Sequence, residues 1–198
     1  MPRVLIVYAS THKQTEKIAF RISDQLSRRG LQVSSYDIMT IPEKIDFNLY
    51  DALIVGAPVR MQNYSEKLRV WVKNSVPYFF AKPTAFFSVC LGIMDPRVAT
   101  QRQERKIVSE FLQSVRWSPD QTRIFAGALM YSKYNFFLKL MMWWIAWRSG
   151  SKTSIFVDQE FTNWNDVKKF ADQLGLELLM KEKIIKEISG ENTIDANA

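Results

Sequence analysis

The sequence predicts an α/β protein in which five parallel strands form a doubly wound sheet with helices on both faces. The apolar runs at residues 4–7 and 52–57 are continuous rather than alternating, as in strands that are buried on both faces. Segments with apolar residues at helical spacing separate such runs. Regular alternation of strands and helices indicates a parallel sheet.

The elements follow one another along the chain. Ile18, Ala19, Ile22 and Leu26 give the first helix its apolar face. Ser65 is a candidate cap for the second helix, and Thr162 is a candidate cap for a last helix that ends near Leu179. The predicted strands cover residues 4–7, 31–36, 52–57, 83–89 and 123–129, and the predicted helices cover 16–29, a segment after Ser65, 103–115 and 162–179.

The composition is that of one globular domain in a reducing compartment. The chain has 198 residues, of which 47% are apolar, and its single cysteine excludes a disulfide framework. We see neither a signal-peptide pattern nor an apolar run of about 18 residues that could span a membrane. We expect a cytoplasmic protein with one domain over residues 1–180, an insertion at about 131–152 and a charged, disordered tail over 181–198.

A loop rich in hydroxyl groups joins the first strand to the first helix. It includes Ser10, Thr11 and Thr15. A junction between a buried strand and a helix directs backbone N–H groups at a bound anion, and the positive end of the helix dipole adds to the attraction. The loop therefore favours a phosphate site, and capping of the helix by Thr15 is the alternative.

Most of the excess positive charge lies in one segment. The net charge is +7, and residues 121–157 contain five Lys or Arg residues but no Asp or Glu. No motif for reading grooves or stacking bases accompanies them, so we expect no nucleic-acid partner. A solvated basic face and a site for an anionic partner both fit the charge alone.

Several segments together point to a known family. The loop over residues 10–15, Ser-Thr-His-Lys-Gln-Thr, is similar to the Thr/Ser-x-Thr-Gly-x-Thr loop for FMN phosphate in flavodoxins. The other segments are residues 56–60 with Tyr64, residues 88–91, residues 126–131 and residues 166–174. On these residues the chain resembles the bacterial flavodoxin-like, quinone-dependent protoporphyrinogen oxidases over roughly residues 3–175. The resemblance implies a flavodoxin-like fold and FMN as the cofactor.

Two loop residues depart from the family pattern. Lys13 stands where the family usually has Gly, and His12 stands where Thr or Asp is common. If this position needs a positive φ, Lys13 carries backbone strain; alternatively, its ammonium reaches the phosphate. His12 is the only histidine, and it is either a proton donor near neutral pH or a loop residue that faces solvent.

The resemblance also assigns residues to the FMN site. Tyr64 either contacts the flavin or only plugs the start of a helix, and Cys90 is interpreted as a packing residue rather than a redox group. The implied phosphate ligands are Ser10, Thr11, His12, Lys13, Gln14 and Thr15. The implied walls around the isoalloxazine are Ala57, Pro58, Val59, Arg60, Asn63 and Tyr64 on one side, and Ser88, Val89, Cys90, Leu91 and Gly92 on the other.

An aromatic segment at residues 136–147 is the second candidate site. Eleven of its twelve residues are apolar, and basic residues flank it. A helix of this length would span roughly 18 Å, which is less than the roughly 30 Å hydrocarbon core. Tryptophan beside cationic residues is typical of an anionic membrane interface, while a core helix or a contact in a homo-oligomer is the alternative. The predicted membrane contacts are Phe136, Phe137, Leu140, Trp143, Trp144 and Trp147.

The function implied by the resemblance is FMN-dependent oxidation of protoporphyrinogen IX to protoporphyrin IX in haem biosynthesis. Electrons would pass to a membrane quinone, with the protein attached peripherally to the cytoplasmic face of the inner membrane. Arg60 and the basic residues of the insertion are candidates for docking the substrate. A flavodoxin-type electron carrier and a non-flavin membrane-binding module are the alternatives. We find no paired catalytic carboxylates and no metal-ligand cluster in the sequence, so hydrolytic mechanisms have little support.

Overall fold

A computed structural model describes residues 1–129 and 159–189. Its main sheet has five parallel strands in the order β2-β1-β3-β4-β5. Because winding proceeds outward in both directions from β1 and β3, the predicted doubly wound sheet is confirmed. The strands are β1 (Arg3–Tyr8), β2 (Gln32–Asp37), β3 (Ala52–Pro58), β4 (Thr84–Cys90) and β5 (Gln121–Ala126).

Helices cover both faces of this sheet. Helices α1 and α4 pack on one face, and α2 and α3 pack on the other. Three short 3-10 helices lie in the connections, at Phe47–Leu49, Val76–Phe79 and Gly92–Met94. The helices are α1 (Gln14–Arg28), α2 (Glu66–Ser75), α3 (Val98–Ser114) and α4 (Trp164–Ser189).

Strand β1 shows why the apolar runs are continuous. Val4 and Ile6 belong to the core under α1 and α4, whereas Leu5 and Val7 belong to the core under α2 and α3. All four side chains are completely buried. Removing a side chain of this size from water stabilises the fold by about 1.5–3 kcal/mol.

A glycine in β3 allows an aromatic ring to lie across the strand. Gly56 is the register partner of Phe87 on β4. A Cβ at position 56 would lie 2.0 Å from the Phe87 ring, which packs in turn against Phe125 with 6.0 Å between ring centroids. Since Phe87 is fully buried, it has little room to move, and only glycine fits at position 56.

The fifth predicted strand is divided in the structure. Strand β5 ends at Ala126, and Gly127 donates its N–H to the Cys90 carbonyl at 3.2 Å. The chain then leaves the main sheet and forms β6 (Ala128–Leu129), which pairs antiparallel with β7 (Gln159–Glu160). Helix α3 also differs from its prediction, since it begins at Val98 rather than near residue 103. After Val98 and Ala99, residues 100–106 are all polar or charged, so the apolar pattern of the helix starts only at Ile107.

The predicted cap at Thr162 is wrong, and so is the alternative role of Thr15 as a cap. Thr15 lies inside α1, because the residue at the cap position is Lys13. Thr162 uses its hydroxyl to donate to the Ala126 carbonyl at 2.7 Å. The cap of α4 is Asn163, whose Oδ1 accepts a hydrogen bond from a first-turn backbone N–H at 3.1 Å.

Helix α4 is longer than predicted and ends at Ser189. Residues 181–189, assigned from the sequence to a disordered tail, are therefore helical. Ion pairs one turn apart, such as Lys186 with Glu182 at 2.9 Å, support this extension. Residues 190–198 and the predicted insertion at 131–152 lie outside the described residues. Within the described ranges, no helix has the length and apolar character needed to cross a membrane.

Candidate functional site

A cleft of about 420 Å³ lies at the carboxyl edge of the main sheet. The loops after β1, β3 and β4 line it, at the switch point where α/β sheets bind ligands. Its volume falls within the range of small-molecule sites. The predicted site residues that line it are Thr11, His12, Gln14, Thr15, Pro58, Val59, Arg60, Val89, Cys90, Leu91 and Gly92.

The loop after β1 has a left-handed backbone at Lys13. Its φ is 71°, so the positive φ considered from the sequence is confirmed, and the lysine side chain carries the associated strain. The Lys13 ammonium lies 2.9 Å from the Glu16 carboxylate, and that hydrogen bond raises the pKa of Lys13. In the structure the ammonium is therefore engaged by Glu16.

Two buried polar atoms in the same loop have no hydrogen-bond partner among the described residues. They are the Ser10 hydroxyl oxygen and the Gln14 side-chain carbonyl oxygen. Leaving such an atom unpaired costs about 1–3 kcal/mol of folding free energy, so a ligand that hydrogen-bonds to either atom would recover part of this cost. The start of α1 adds free N–H groups and a positive dipole end. This donor set suits an anionic phosphate.

A short hydrogen-bonded chain fixes the start of α1. Gln14 Nε2 donates to the Thr162 hydroxyl at 2.8 Å, and Thr162 donates to the carbonyl of Ala126. Because this chain joins α1 to the end of β5, it holds the loop against the sheet. The Gln14 amide nitrogen therefore has a structural role, and only its carbonyl oxygen is free to meet a ligand.

The loop after β3 is a tight hairpin. Arg60 and Asn63 exchange two backbone hydrogen bonds of 2.9 Å each. Met61 and Gln62 between them have φ values of 45° and 60°, which defines a type I′ turn without glycine. Both residues line the cleft and were missed from the sequence. Arg60 Nη1 reaches the Thr11 hydroxyl at 3.4 Å and bridges the first two loops.

Tyr64 lies behind the wall of the cleft rather than on it. It is 5% exposed, and its hydroxyl donates to Ser88 Oγ at 2.7 Å. Its ring packs against Phe86 and Phe111, and burial raises its pKa. Ser10, Lys13, Ala57, Asn63 and Ser88 also do not line the cleft. Ala57 and Ser88 lie inside β3 and β4, before the ends of these strands, and are completely buried.

Asn63 has a supporting role in the hairpin. Its Oδ1 accepts hydrogen bonds from the Tyr64 N–H at 2.8 Å and from Arg69 Nη2 at 2.7 Å. These bonds hold the end of the hairpin against the start of α2. Asn63 therefore positions the wall without facing the cleft.

Glu104 on α3 brings a carboxylate to the cleft. A Cβ at Gly92 would lie 2.1 Å from Glu104 Oε1, so the carboxylate lies directly against that glycine. Glu104 Oε2 is buried and has no hydrogen-bond partner among the described residues. Sequence reasoning missed Glu104 because the approach of α3 to this loop depends on tertiary packing.

The thiol of Cys90 also lines the cleft and lies close to Glu104. Burial first, and then the negative charge of Glu104, raise the pKa of Cys90 to about 12. The thiol is therefore protonated near neutral pH, which agrees with its interpretation as a packing residue.

The cleft combines a phosphate-type loop with a largely apolar slot. Val59, Met61, Val89 and Leu91 supply the apolar lining of the slot. An apolar slot with a few polar groups at one end suits a flat ring that carries an anionic tail. The residues present therefore fit a flavin nucleotide.

The chain belongs to the flavodoxin family, whose domain matches residues 5–155. Among curated proteins it is similar to protoporphyrinogen IX dehydrogenase (quinone) from Escherichia coli strain K12. That similarity is 28% identity over 173 residues, covering 87% of this chain and 94% of the relative. The protein of the same name from Leishmania major is 30% identical over 178 residues, covering 88% of this chain and 75% of that protein.

Solved structures share the fold. Oxidised Flavodoxin 1 from Bacillus cereus has a TM-score of 0.52 at 16% identity, covering 90% of this chain and 97% of that protein. Rubredoxin oxygen:oxidoreductase from Desulfovibrio gigas has a TM-score of 0.51 at 14% identity, covering 90% of this chain and 36% of that protein. These findings confirm the predicted flavodoxin-like fold.

The predictions of family and of the oxidoreductase class are confirmed, and the family implies a flavin cofactor. The predicted membrane segment at 136–147 lies outside the described residues and stays a prediction. That segment contains Phe136, Phe137, Leu140, Trp143, Trp144 and Trp147.

Proposed function

We propose that this protein oxidises protoporphyrinogen IX to protoporphyrin IX with FMN and passes the electrons to a membrane quinone, as a step of haem biosynthesis. The observation that carries the proposal is the cleft itself. It combines a phosphate-type loop and an apolar slot at the switch point of the sheet. The curated relatives, covered over most of their length, are named for the oxidation of protoporphyrinogen IX with a quinone.

The loop after β1 would hold the phosphate of FMN. The Ser10 hydroxyl is buried without a partner among the described residues and can donate to a phosphate oxygen. Thr11 and Thr15 bring two further hydroxyls to the cleft, and the first N–H groups of α1 point toward the same end. When bound, FMN would accept electrons from the substrate and release them to the quinone.

Other residues of the cleft orient the ring and receive the proton. The hairpin at Met61 and Gln62 forms an edge of the slot, and Arg60 fixes that hairpin to Thr11. Oxidation of protoporphyrinogen removes hydrogen from the methylene bridges and nitrogens of the macrocycle, and the hydrogen that does not pass on with the electrons leaves as protons. A proton acceptor beside the slot would therefore assist the reaction. Glu104 Oε2 is buried there without a partner among the described residues, and it can accept a proton.

We also propose that the protein binds the anionic cytoplasmic face of the inner membrane through residues 136–147. Support comes from the sequence: three tryptophans lie within five positions, and residues 121–157 contain no acidic side chain. A variant with Trp143, Trp144 and Trp147 all changed to Ser should no longer bind anionic liposomes but should still bind its flavin. Loss of the flavin or of the fold in that variant would show that the segment belongs to the core.

An anaerobic assay tests the proposed reaction. FMN-loaded protein with a quinone should form fluorescent porphyrin from protoporphyrinogen faster than free FMN or quinone does. No acceleration with any quinone, together with rapid electron exchange with a flavodoxin reductase, would favour the electron carrier. If the purified protein is colourless and does not bind excess FMN, both flavin-dependent functions are excluded and the non-flavin membrane-binding module is the function that fits. Chromatography of the released cofactor distinguishes FMN from other flavins.

A further inference from the structure

A groove of about 860 Å³ lies on the other side of α3 from the cleft. Helix α3, the turn after it and strand β5 form its walls. The groove and the cleft adjoin: Ile93 of the groove follows Gly92 of the cleft, and Arg105 follows Glu104. The two cavities are therefore lined by neighbouring residues of α3 and of the loop after β4.

The groove combines an apolar floor with positive charge. Val108, Leu112 and Trp117 supply apolar surface. Trp117 is held in place because its indole N–H donates to the Thr84 hydroxyl at 3.3 Å. Three arginines line the groove, Arg105, Arg116 and Arg123, and no Asp or Glu occurs among its lining residues in the described part of the chain. Arg123 donates hydrogen bonds to the Thr122 carbonyl at 3.4 Å and to Gln173 Oε1 at 3.5 Å.

Neither Arg105 nor Arg116 is neutralised by a carboxylate that the structure describes. The ion pairs within residues 1–129 and 159–189 include neither Arg105 nor Arg116, whereas the neighbouring Lys106 pairs with Glu110 at 3.6 Å. A guanidinium beside an apolar floor suits a carboxylate on an apolar body, since a flat ligand would exclude water from the pair.

Arg116 occupies a backbone position that normally takes glycine. Its N–H donates to the Gln113 carbonyl at 3.0 Å, and the N–H of Trp117 donates to the Leu112 carbonyl at 3.0 Å. These bonds form a Schellman motif at the end of α3, and Arg116 has a φ of 54°. A long charged side chain held in this strained conformation is an observation independent of the charge count.

We propose that this groove binds the two propionate carboxylates of protoporphyrinogen IX through Arg105 and Arg116, while the apolar floor covers part of the macrocycle. The assignment of this ligand rests on the proposed function. Its chemical basis is complementarity: the substrate is an apolar macrocycle with two carboxylates on one side, and the groove has an apolar floor beside Arg105 and Arg116, which form no ion pair with a carboxylate of the described residues.

The test measures binding apart from turnover. FMN-loaded protein is titrated with protoporphyrin IX, which carries the same two carboxylates, and with its dimethyl ester, in a mild detergent. The variants are Arg105→Gln and Arg116→Gly, alone and together, because glycine suits the left-handed backbone at position 116. Lys106→Gln is the matched control on α3, since it removes a charge from a side chain that does not line the groove.

Each arginine variant should weaken binding of protoporphyrin IX by about fivefold, and the double variant by more than tenfold. Lys106→Gln should bind as the wild type does. The ester should bind weakly to all of them, and added salt should weaken only the binding of the free acid. In the anaerobic assay of protoporphyrinogen oxidation, the double substitution should raise KM more than it lowers kcat.

Two results separate failure of the groove from failure of the proposed function. If the double variant binds the porphyrin as tightly as the wild type and turns over normally, the groove assignment is overturned and the reaction stands. If the wild type binds the porphyrin through these arginines but oxidises no porphyrinogen, the reaction is refuted and the groove stands. Equal binding of acid and ester would also overturn the assignment.

Discussion

Replacing Ser10 with alanine should change stability and cofactor affinity in opposite directions. The Ser10 hydroxyl oxygen is buried without a hydrogen-bond partner among the described residues. An unpaired buried polar group costs about 1–3 kcal/mol. Ser10→Ala should therefore raise the free energy of unfolding of the flavin-free protein by about 1 kcal/mol. For a chain of this size, that corresponds to a rise in Tm of about 2–4 °C.

The same substitution should weaken FMN binding. A hydrogen bond to a charged group contributes about 1.5–3 kcal/mol, so losing the bond from Ser10 to the phosphate should raise the Kd by roughly tenfold or more. Because a bound ligand stabilises the folded state by mass action, saturating FMN should raise the Tm of the wild type more than that of Ser10→Ala.

Ser35 offers a matched control. Its hydroxyl oxygen is also buried without a partner among the described residues, but it lies within β2 and outside the loop after β1 that would hold the phosphate. Ser35→Ala should stabilise the flavin-free protein to a similar extent and leave the Kd for FMN unchanged. Thermal unfolding with and without FMN, and titration of flavin fluorescence, give both quantities. If Ser10→Ala binds FMN as tightly as the wild type, the phosphate role of Ser10 is refuted.

Three further predictions concern the core and α3. Gly56→Ala should lower the free energy of unfolding by about 3 kcal/mol in urea titrations, since its Cβ would overlap the Phe87 ring; a change under about 0.5 kcal/mol would refute this packing argument. Arg116→Gly should raise the free energy of unfolding by up to about 1 kcal/mol, because glycine tolerates a φ of 54°; a loss of stability would contradict that reasoning. The Cys90 thiol titrates near 9 when unfolded and at about 12 when folded, so its contribution to stability is complete below pH 9 and is lost as the pH rises toward 12. Glu104→Gln should lower the pKa of folded Cys90 and so narrow the pH range over which this contribution is lost. Urea unfolding between pH 8 and 11 measures the change. An unchanged dependence of stability on pH would argue against a contact between these side chains.

The features predicted from sequence are those that depend on local pattern. A strand buried on both faces must be apolar at every position, so residues 4–7 and 52–57 revealed the parallel sheet. The loop over residues 10–15 was recognised because its three hydroxyl residues lie within six positions of the chain, directly after the first strand. The left-handed backbone at Lys13 followed from the glycine that related loops have at that position.

The features that escaped prediction depend on contacts between distant segments. Glu104 reaches the cleft only because α3 packs against the loop after β4, and its own helix pattern gives no sign of that. Strand β6 pairs with a strand some thirty residues later, so the apolar run from 123 to 129 read as one strand. Asn163 caps α4, whereas the Thr162 hydroxyl is hydrogen-bonded to Gln14 and to the Ala126 carbonyl. Both of these partners are distant in sequence, so the sequence alone does not show which residue is the cap.

Two adjacent residues of α3 bring opposite charges to the α3 side of the cleft and to the groove. Glu104 places a carboxylate at the cleft, and Arg105, the next residue, lines the groove. The Glu104 carboxylate repels a propionate from the α3 side of the cleft, and Arg105 attracts it to the groove. On the proposed assignment, the propionates therefore stay in the groove, and the uncharged part of the macrocycle is the part that enters the cleft. Electrostatics at two adjacent helix positions would thus fix which edge of the substrate meets the flavin.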